Sequence, residues 1–264
     1  MAWLQRLPGA RINPKIQIAD LRQDNAGRGI GLNILPPLHM RTFSYCTLVA
    51  TADIEEDEEL FSISQSDLLT VQNSSLQQVK PILLERLDAW NALILCMIHE
   101  DGQGQDSKWW PYLQVLPNNF DTLIYWSPSE LAELEGSAVL DKIGKDAADA
   151  SFIKILLPIV QQNPDLFGRF SKEFDGPNAP NVLLELAHRM ATLIMAYGFD
   201  LEAEDSSSDE EEEVDGSSQS AYELNKGMVP FADLFNADGH LNNVGLLPPQ
   251  HLQVLMMSVT SLTT

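Results

Sequence analysis

Basic residues are scarce in this chain: Lys and Arg total 16 against 38 Asp and Glu, giving a formal net charge of −22 over 264 residues. That balance excludes direct nucleic-acid binding, because phosphate contacts need clustered cations, and it favours a basic protein partner. Cysteine is nearly absent. Cys46 and Cys96 give no disulfide framework, and no basic segment leads into an apolar stretch near Met1, so the sequence predicts an intracellular protein. No apolar run approaches the roughly 20 residues that span a bilayer, so no membrane partner is expected. His39, His99, His188, His240 and His251 lack metal-ligand spacing, and no metal site is predicted. A Ser/His/Asp hydrolase is excluded by the lack of a nucleophile elbow.

What is present suffices for a core, since 44% of residues are hydrophobic. Residues 15–21 alternate Ile16 and Ile18 before a Gly27/Gly29 turn, and residues 49–63 read as strand, acidic turn, strand, so a small sheet is expected. From Pro81 the apolar stripe Leu83, Leu87, Trp90, Ile94 and Met97 predicts an amphipathic helix. Shorter helices are predicted over 129–135 and 147–160, and a last one from Asn181 as N-cap to a stop at Gly198. Between Glu202 and Asp215, acids and serines make a segment read as a disordered loop by composition.

The segment Gly227–Asn243, GMVPFADLFNADGHLNN, fits none of these periodicities. Its apolar residues Met228, Val229, Phe231, Leu234 and Phe235 would draw Asp233 and Asn236 inside, where both need partners. By pattern alone it is either a ligand-lined turn or a buried turn whose Asp and Asn cap local backbone groups.

This segment resembles the PxADxxNH motif of SET-domain protein lysine methyltransferases, in the branch with the Rubisco large-subunit and fungal ribosomal lysine methyltransferases. Asn25–Ile30 resembles that family's N-terminal cofactor loop, Glu58–Ile63 its next strand, and Ser107–Tyr112 its helical-insert signature, in the family's order. The resemblance implies an α+β fold, a split β-rich SET domain carrying a large helical insert and truncated at the C-terminus. Its parts would be 1–70 as the N-terminal SET half, 71–200 as the insert, 201–226 as the acidic loop and 227–243 as the C-terminal SET segment. Two stretches depart from the family: 31–48, expected as a loop outside the core, and the tail 244–264. They are read either as intron-derived or gene-model additions or as genuine lineage-specific segments.

The resemblance implies S-adenosyl-L-methionine as cofactor and a lysine of a basic protein, such as a large-subunit ribosomal protein, as substrate. Ala26, Gly27, Arg28, Tyr197, Asn236 and Ala237 would hold the cofactor, with Ala237 standing where many relatives have His. Trp90 and Asp233 would meet the substrate. Trp109 and Trp110 are read as packing within the insert. On residue pattern, Tyr197 also fits a helix-end core tyrosine, Trp90 a core position on its stripe, and Gly27/Gly29 an ordinary turn. No catalytic residue is assigned, because the family's tyrosine segment is not found after Asn243. A monomeric nuclear enzyme, or a cytoplasmic one, with impaired turnover is expected; the alternative is an inactive SET-like interaction module.

Overall fold

A computed structural model describes residues 3–7, 9–20, 46–201, 225–235, 244–247 and 254–259. The chain divides into two compact units, Met1–Leu69 with Tyr197–Thr264, and Thr70–Ala196.

The first unit is antiparallel β structure. Its strands are β1 (Arg11–Ile12), β2 (Ile16–Asp20), β3 (Cys46–Ala50), β4 (Glu59–Ser64), β5 (Gly198–Leu201), β6 (Asn225–Met228), β7 (Val244–Leu247) and β8 (Val254–Val259). They form a four-stranded sheet in the order β1-β4-β8-β7 and two separate pairs, β2-β3 and β5-β6. Strand β4 is central. It is paired on both edges, and Leu60, Phe61, Ser62 and Ile63 are all buried, so both faces of the strand are covered. Leu60, Phe61 and Ile63 make a core with Leu4, Ile16, Leu68, Val229, Phe231 and Ala232.

Several expectations are corrected here. Cys46–Leu48, assigned to the loop outside the core, open β3 in register with Ile18–Asp20, and Leu48 packs against the core. A strand that begins only in the last three residues of 31–48 leaves no alternation across the stretch as a whole. Residues 31–45, like the acidic stretch 202–215, lie outside the described residues. The tail, set apart as foreign, contributes β7 and β8, and β8 runs along β4 from Glu59↔Ser258 to Ser64↔Val254. The strand–turn–strand expected over 49–63 is present, but β3 and β4 join different sheets. Leu4–Arg6 is a single 3-10 turn.

The acidic turn before β4 is locked by Glu58. Its carboxylate accepts from Lys15 Nζ at 2.7 Å, Asn13 Nδ2 at 2.8 Å and the Glu55 backbone N–H at 2.9 Å. These donors, Lys15 foremost, lower its pKa to about 2.

The second unit is helical: α1 (Ser75–Val79), α2 (Ala89–Gln103), α3 (Trp110–Leu113), α4 (Pro128–Ala132), α5 (Lys145–Ile155), α6 (Leu157–Gln162), α7 (Ser171–Phe174) and α8 (Ala179–Tyr197). The helix predicted from Pro81 is two elements. Pro81–Leu83 is a separate 3-10 turn, and α2 starts at Ala89 because the Asp88 side chain caps it, accepting from the Asn91 N–H at 2.9 Å. The helix is also not amphipathic: every residue from Asn91 to Gly102 is buried. The single helix predicted over 147–160 breaks at Leu156, where Pro158 in the first turn of α6 cannot donate to the preceding turn. Helix α4 begins with a capping box formed by Ser127 and Glu130, one residue before the range predicted for it. Helix α8 starts at Ala179, before the predicted cap Asn181, and its face Leu183, Leu186, Ala187, Met190, Leu193 and Ile194 is buried at helical spacing. Among the described residues no helix is long and apolar enough to cross a membrane.

Candidate functional site

Strand β6 leads into the motif. Met228 is paired twice: it faces Gly198 of β5, and it exchanges hydrogen bonds with Leu69, accepting at 3.1 Å and donating at 2.9 Å. The Gly198↔Met228 register therefore brings Tyr197, the last residue of α8, beside the chain as it leaves β6. Farther along the same pair, Asp200 and Lys226 face each other and form an ion pair.

Beyond Met228 the chain turns sharply. The Ala232 N–H donates to the Val229 carbonyl at 3.2 Å, closing Val229-Pro230-Phe231-Ala232, and Phe231 has φ +80° and ψ −35°. This is the arrangement of a type II turn, with Pro at its second position and a positive φ at its third, where glycine is usual. A phenylalanine there carries strain of about 1–3 kcal/mol. Its ring is buried, 4.9 Å from the Phe61 ring and 6.0 Å from the Phe235 ring, and burial of a side chain of this size contributes about 1.5–3 kcal/mol. The two magnitudes are comparable, so packing is enough to hold the strained turn.

From the turn, Ala232–Leu234 make one 3-10 turn, with Leu234 N–H donating to the Phe231 carbonyl at 3.1 Å and Phe235 N–H to that of Ala232 at 3.1 Å. Asp233 sits in this turn, half-buried, and its charge acts on the Tyr197 phenol. Burial first, and the Asp233 charge second, raise the Tyr197 pKa above its ordinary value, so the phenol is neutral at physiological pH and able to donate. A neutral phenol within the field of a carboxylate suits a cationic group.

Of the predicted site residues, Tyr197 and Asp233 are thus brought together. Ala26, Gly27, Arg28, Asn236 and Ala237 lie outside the described residues. Trp90 lies in the second unit on the first turn of α2, half-buried. Trp109 is a buried packing residue, and Trp110 stacks under the Arg169 guanidinium at 5.1 Å. No group of three or more His, Cys, Asp or Glu able to hold a metal occurs among the described residues.

A buried polar cluster on α2 carries no sequence signal, because its residues sit at the end of an apolar run. Glu100 is fully buried and accepts from Ser74 Oγ at 2.9 Å, Ser75 N–H at 2.7 Å, Ser75 Oγ at 2.7 Å and Ser107 Oγ at 2.6 Å. Beside it, His99 Nδ1 donates to the Leu166 carbonyl at 2.6 Å, leaving Nε2, 2.9 Å from Ser75 Oγ, to compete with Glu100 for the single Ser75 hydroxyl hydrogen. Burial lowers the His99 pKa, against the opposing pull of Glu100 and the Leu166 carbonyl. Asp101 is paired with Arg169 at 2.8 Å and Arg189 at 3.2 Å. Every contact in this cluster joins residues of the same unit, and its role is to bind α2 to its neighbours. Cys96, also on α2, is buried, and burial pushes its thiol up to about 12, which makes it inert.

No family model matches the chain. It is 33% identical over 255 residues to ribosomal lysine N-methyltransferase 4 of Saccharomyces cerevisiae, covering 93% of this chain and 46% of that protein. It is 28% identical over 257 residues to N-lysine methyltransferase SETD6 of Homo sapiens, covering 92% and 49%. Among solved structures, Rubisco LSMT bound to sinefungin and monomethyllysine matches with a TM-score of 0.61 and 22% identity, covering 98% of this chain and 49% of that one. The chain spans about half the length of the curated relatives it matches. By sequence and by fold, it is a relative of the SET-domain lysine methyltransferases.

Proposed function

We propose that this chain carries the S-adenosylmethionine-binding and lysine-binding core of a protein-lysine N-methyltransferase. The two segments of the first unit act as the halves of a split SET domain, and the helical unit acts as its insert. The observation that carries the reading is the electrostatic coupling of Tyr197 to Asp233, which follows a strained aromatic turn, since Asp233 lies in the segment that resembles the family motif and Tyr197 matches a separate aromatic position of the family. A phenol and a carboxylate together fit a cationic sulfonium and a lysine amine better than an anionic or neutral ligand.

Bound S-adenosylmethionine supplies an activated methyl group on a sulfonium. Residues of the chain must align an unprotonated lysine amine with it and exclude water. Asp233 attracts the lysine in its charged form. Tyr197, kept neutral by burial and by Asp233, offers its phenol oxygen as an acceptor for an amine N–H, leaving the nitrogen lone pair free and adding no second negative charge that would hold the proton on the amine. Ala26, Gly27, Arg28, Asn236 and Ala237 complete the cofactor contacts on this reading, and Trp90 meets the substrate. The net charge of −22 suits a Lys-rich partner. The name of the yeast relative favours a ribosomal protein as substrate, and on this reading the enzyme is a monomer acting in the nucleus or, alternatively, the cytoplasm.

Isothermal titration with S-adenosylmethionine, followed by radiolabelled methyl transfer to ribosomal proteins, tests the reading. Saturable binding, weakened in Tyr197→Phe and in Asp233→Asn, supports it. No binding by the wild-type chain rejects it and favours the inactive interaction module.

A further inference from the structure

Two non-glycine residues among those described have positive φ: Asp57 at +62° and Phe231 at +80°. Asp57 lies in an exposed turn and is of a type that tolerates the left-handed region. Phe231 is neither, and a bulky side chain at that φ persists only where its surroundings over-determine it. Three features do so. Pro230 restricts the preceding backbone, the Ala232 N–H closes the turn onto Val229, and the buried ring lies against Phe61 of β4 and Phe235. The Phe231 carbonyl is also the acceptor that starts the next turn, taking the Leu234 N–H at 3.1 Å. The direction of the Asp233-bearing turn is thus fixed by the backbone conformation of Phe231.

We propose that Phe231 is a positioning residue: its ring, wedged between Phe61 and Phe235, holds the Val229–Ala232 turn in the conformation that presents Asp233 to Tyr197. The strain is the means of control. A glycine would adopt the same φ freely but also many others, so the turn would relax and the carboxylate would drift from the phenol. The consequence for turnover rests on the methyltransferase reading, but the geometric claim does not.

The test is therefore made without cofactor or substrate. Protein labelled with 13C in its tyrosine rings is titrated by NMR, with the Tyr197 signal assigned from Tyr197→Phe. Asp233→Asn lowers the Tyr197 midpoint and calibrates the influence of the carboxylate. The other charged pair on the adjoining strands, Asp200 and Lys226, neutralises itself and stays unchanged. Phe231→Gly and Phe231→Ala shift the midpoint towards the Asp233→Asn value, whereas Phe231→Leu, which keeps an apolar wedge, stays near wild type. Phe231→Gly melts no lower than Phe231→Ala, reversing their usual order. The proposal is overturned if Asp233→Asn moves the midpoint while Phe231→Gly and Phe231→Ala leave it at the wild-type value. It is equally overturned if Asp233→Asn has no effect. Should Phe231→Gly not fold, the Ala and Leu variants decide by the same criterion. Failure of the methyltransferase reading would show separately, as a lack of S-adenosylmethionine binding by the wild-type chain.

Discussion

Gly168 lies with its Cα against the Gly102 carbonyl, so close that a Cβ built on Gly168 would stand 2.3 Å from that oxygen. Gly102 returns the contact, since its own Cβ would stand 2.5 Å from the Phe167 carbonyl. Helix α2 and the segment after α6 therefore meet backbone to backbone, and neither carbonyl can yield as a flexible side chain would. Gly168 also has φ +47°. Gly168→Ala should destabilise the helical unit by about 3 kcal/mol, combining the left-handed penalty with steric displacement. Chemical denaturation should show a lower midpoint, and a midpoint within error of wild type would refute the contact.

Glu100 should be the most costly polar residue to remove from the same unit. Glu100→Ala leaves the Ser74 and Ser107 hydroxyls and the Ser75 backbone N–H without their buried acceptor, while the Ser75 hydroxyl keeps His99 Nε2, at a cost of about 3 kcal/mol or more. Glu100→Gln keeps the volume but turns an amide NH2 towards hydroxyls that now donate, so it should recover only part of the loss. Equal stability of Glu100→Gln and wild type would argue against the hydrogen-bond count.

Acid should act on the helical unit through His99. Its folded pKa lies below the unfolded value of 6.5, so the unfolded chain binds the extra proton first, and stability falls as pH drops below 6.5. The groups facing the ring are Glu100, Ser75, the Leu166 carbonyl and the edge-on Phe167 ring. His99→Gln should flatten that part of the stability profile. A slope unchanged in the variant would place the titration elsewhere.

Glu58 acts at lower pH with the same sign. A carboxylate lowered to about 2 from 4.5 contributes stability that is fully present above 4.5 and is lost as pH falls towards 2. Acid titration of Glu58→Gln should lack this component, and Lys15→Met should weaken it, because the Lys15 hydrogen bond is its largest cause.

The boundary of β3 makes a deletion test sharp. Removing 31–48 takes Cys46–Leu48 out of register with Ile18–Asp20 and strips Leu48 from the core, whereas removing 31–45 leaves β3 whole. The longer deletion should melt lower than the shorter one. The reverse order would restore the reading of 46–48 as dispensable loop.

How much of this was legible depended on whether the signal was local. The β2 pattern, the strand after the acidic turn and the motif around Asp233 were visible because alternation and residue type identify them without knowledge of partners. Helix α2 was found but misread. Apolar residues on all its faces mask any stripe, and its polar members His99, Glu100 and Asp101 look like a surface patch until Ser74, Ser107 and Arg189 are known to enclose them. The strands of the tail were not visible for a related reason: Leu255, Met256 and Met257 pair with β4, and no window of sequence around them contains β4. At the site, Tyr197 and Asp233 were both named, but their meeting depends on the Gly198↔Met228 register. The conformation of Phe231 had no signal at all, since Pro followed by Phe does not announce a positive φ.

The pairing of β4 with β8 also sets an order of events during synthesis. Residues 70–196 are contiguous and can fold as soon as they leave the ribosome, but β4 is made before them and must wait for residues 254–259. Until then one side of an apolar strand stands open, a template for pairing with another nascent chain. The first unit is therefore the slower to mature, although its first segment is made before the helical unit.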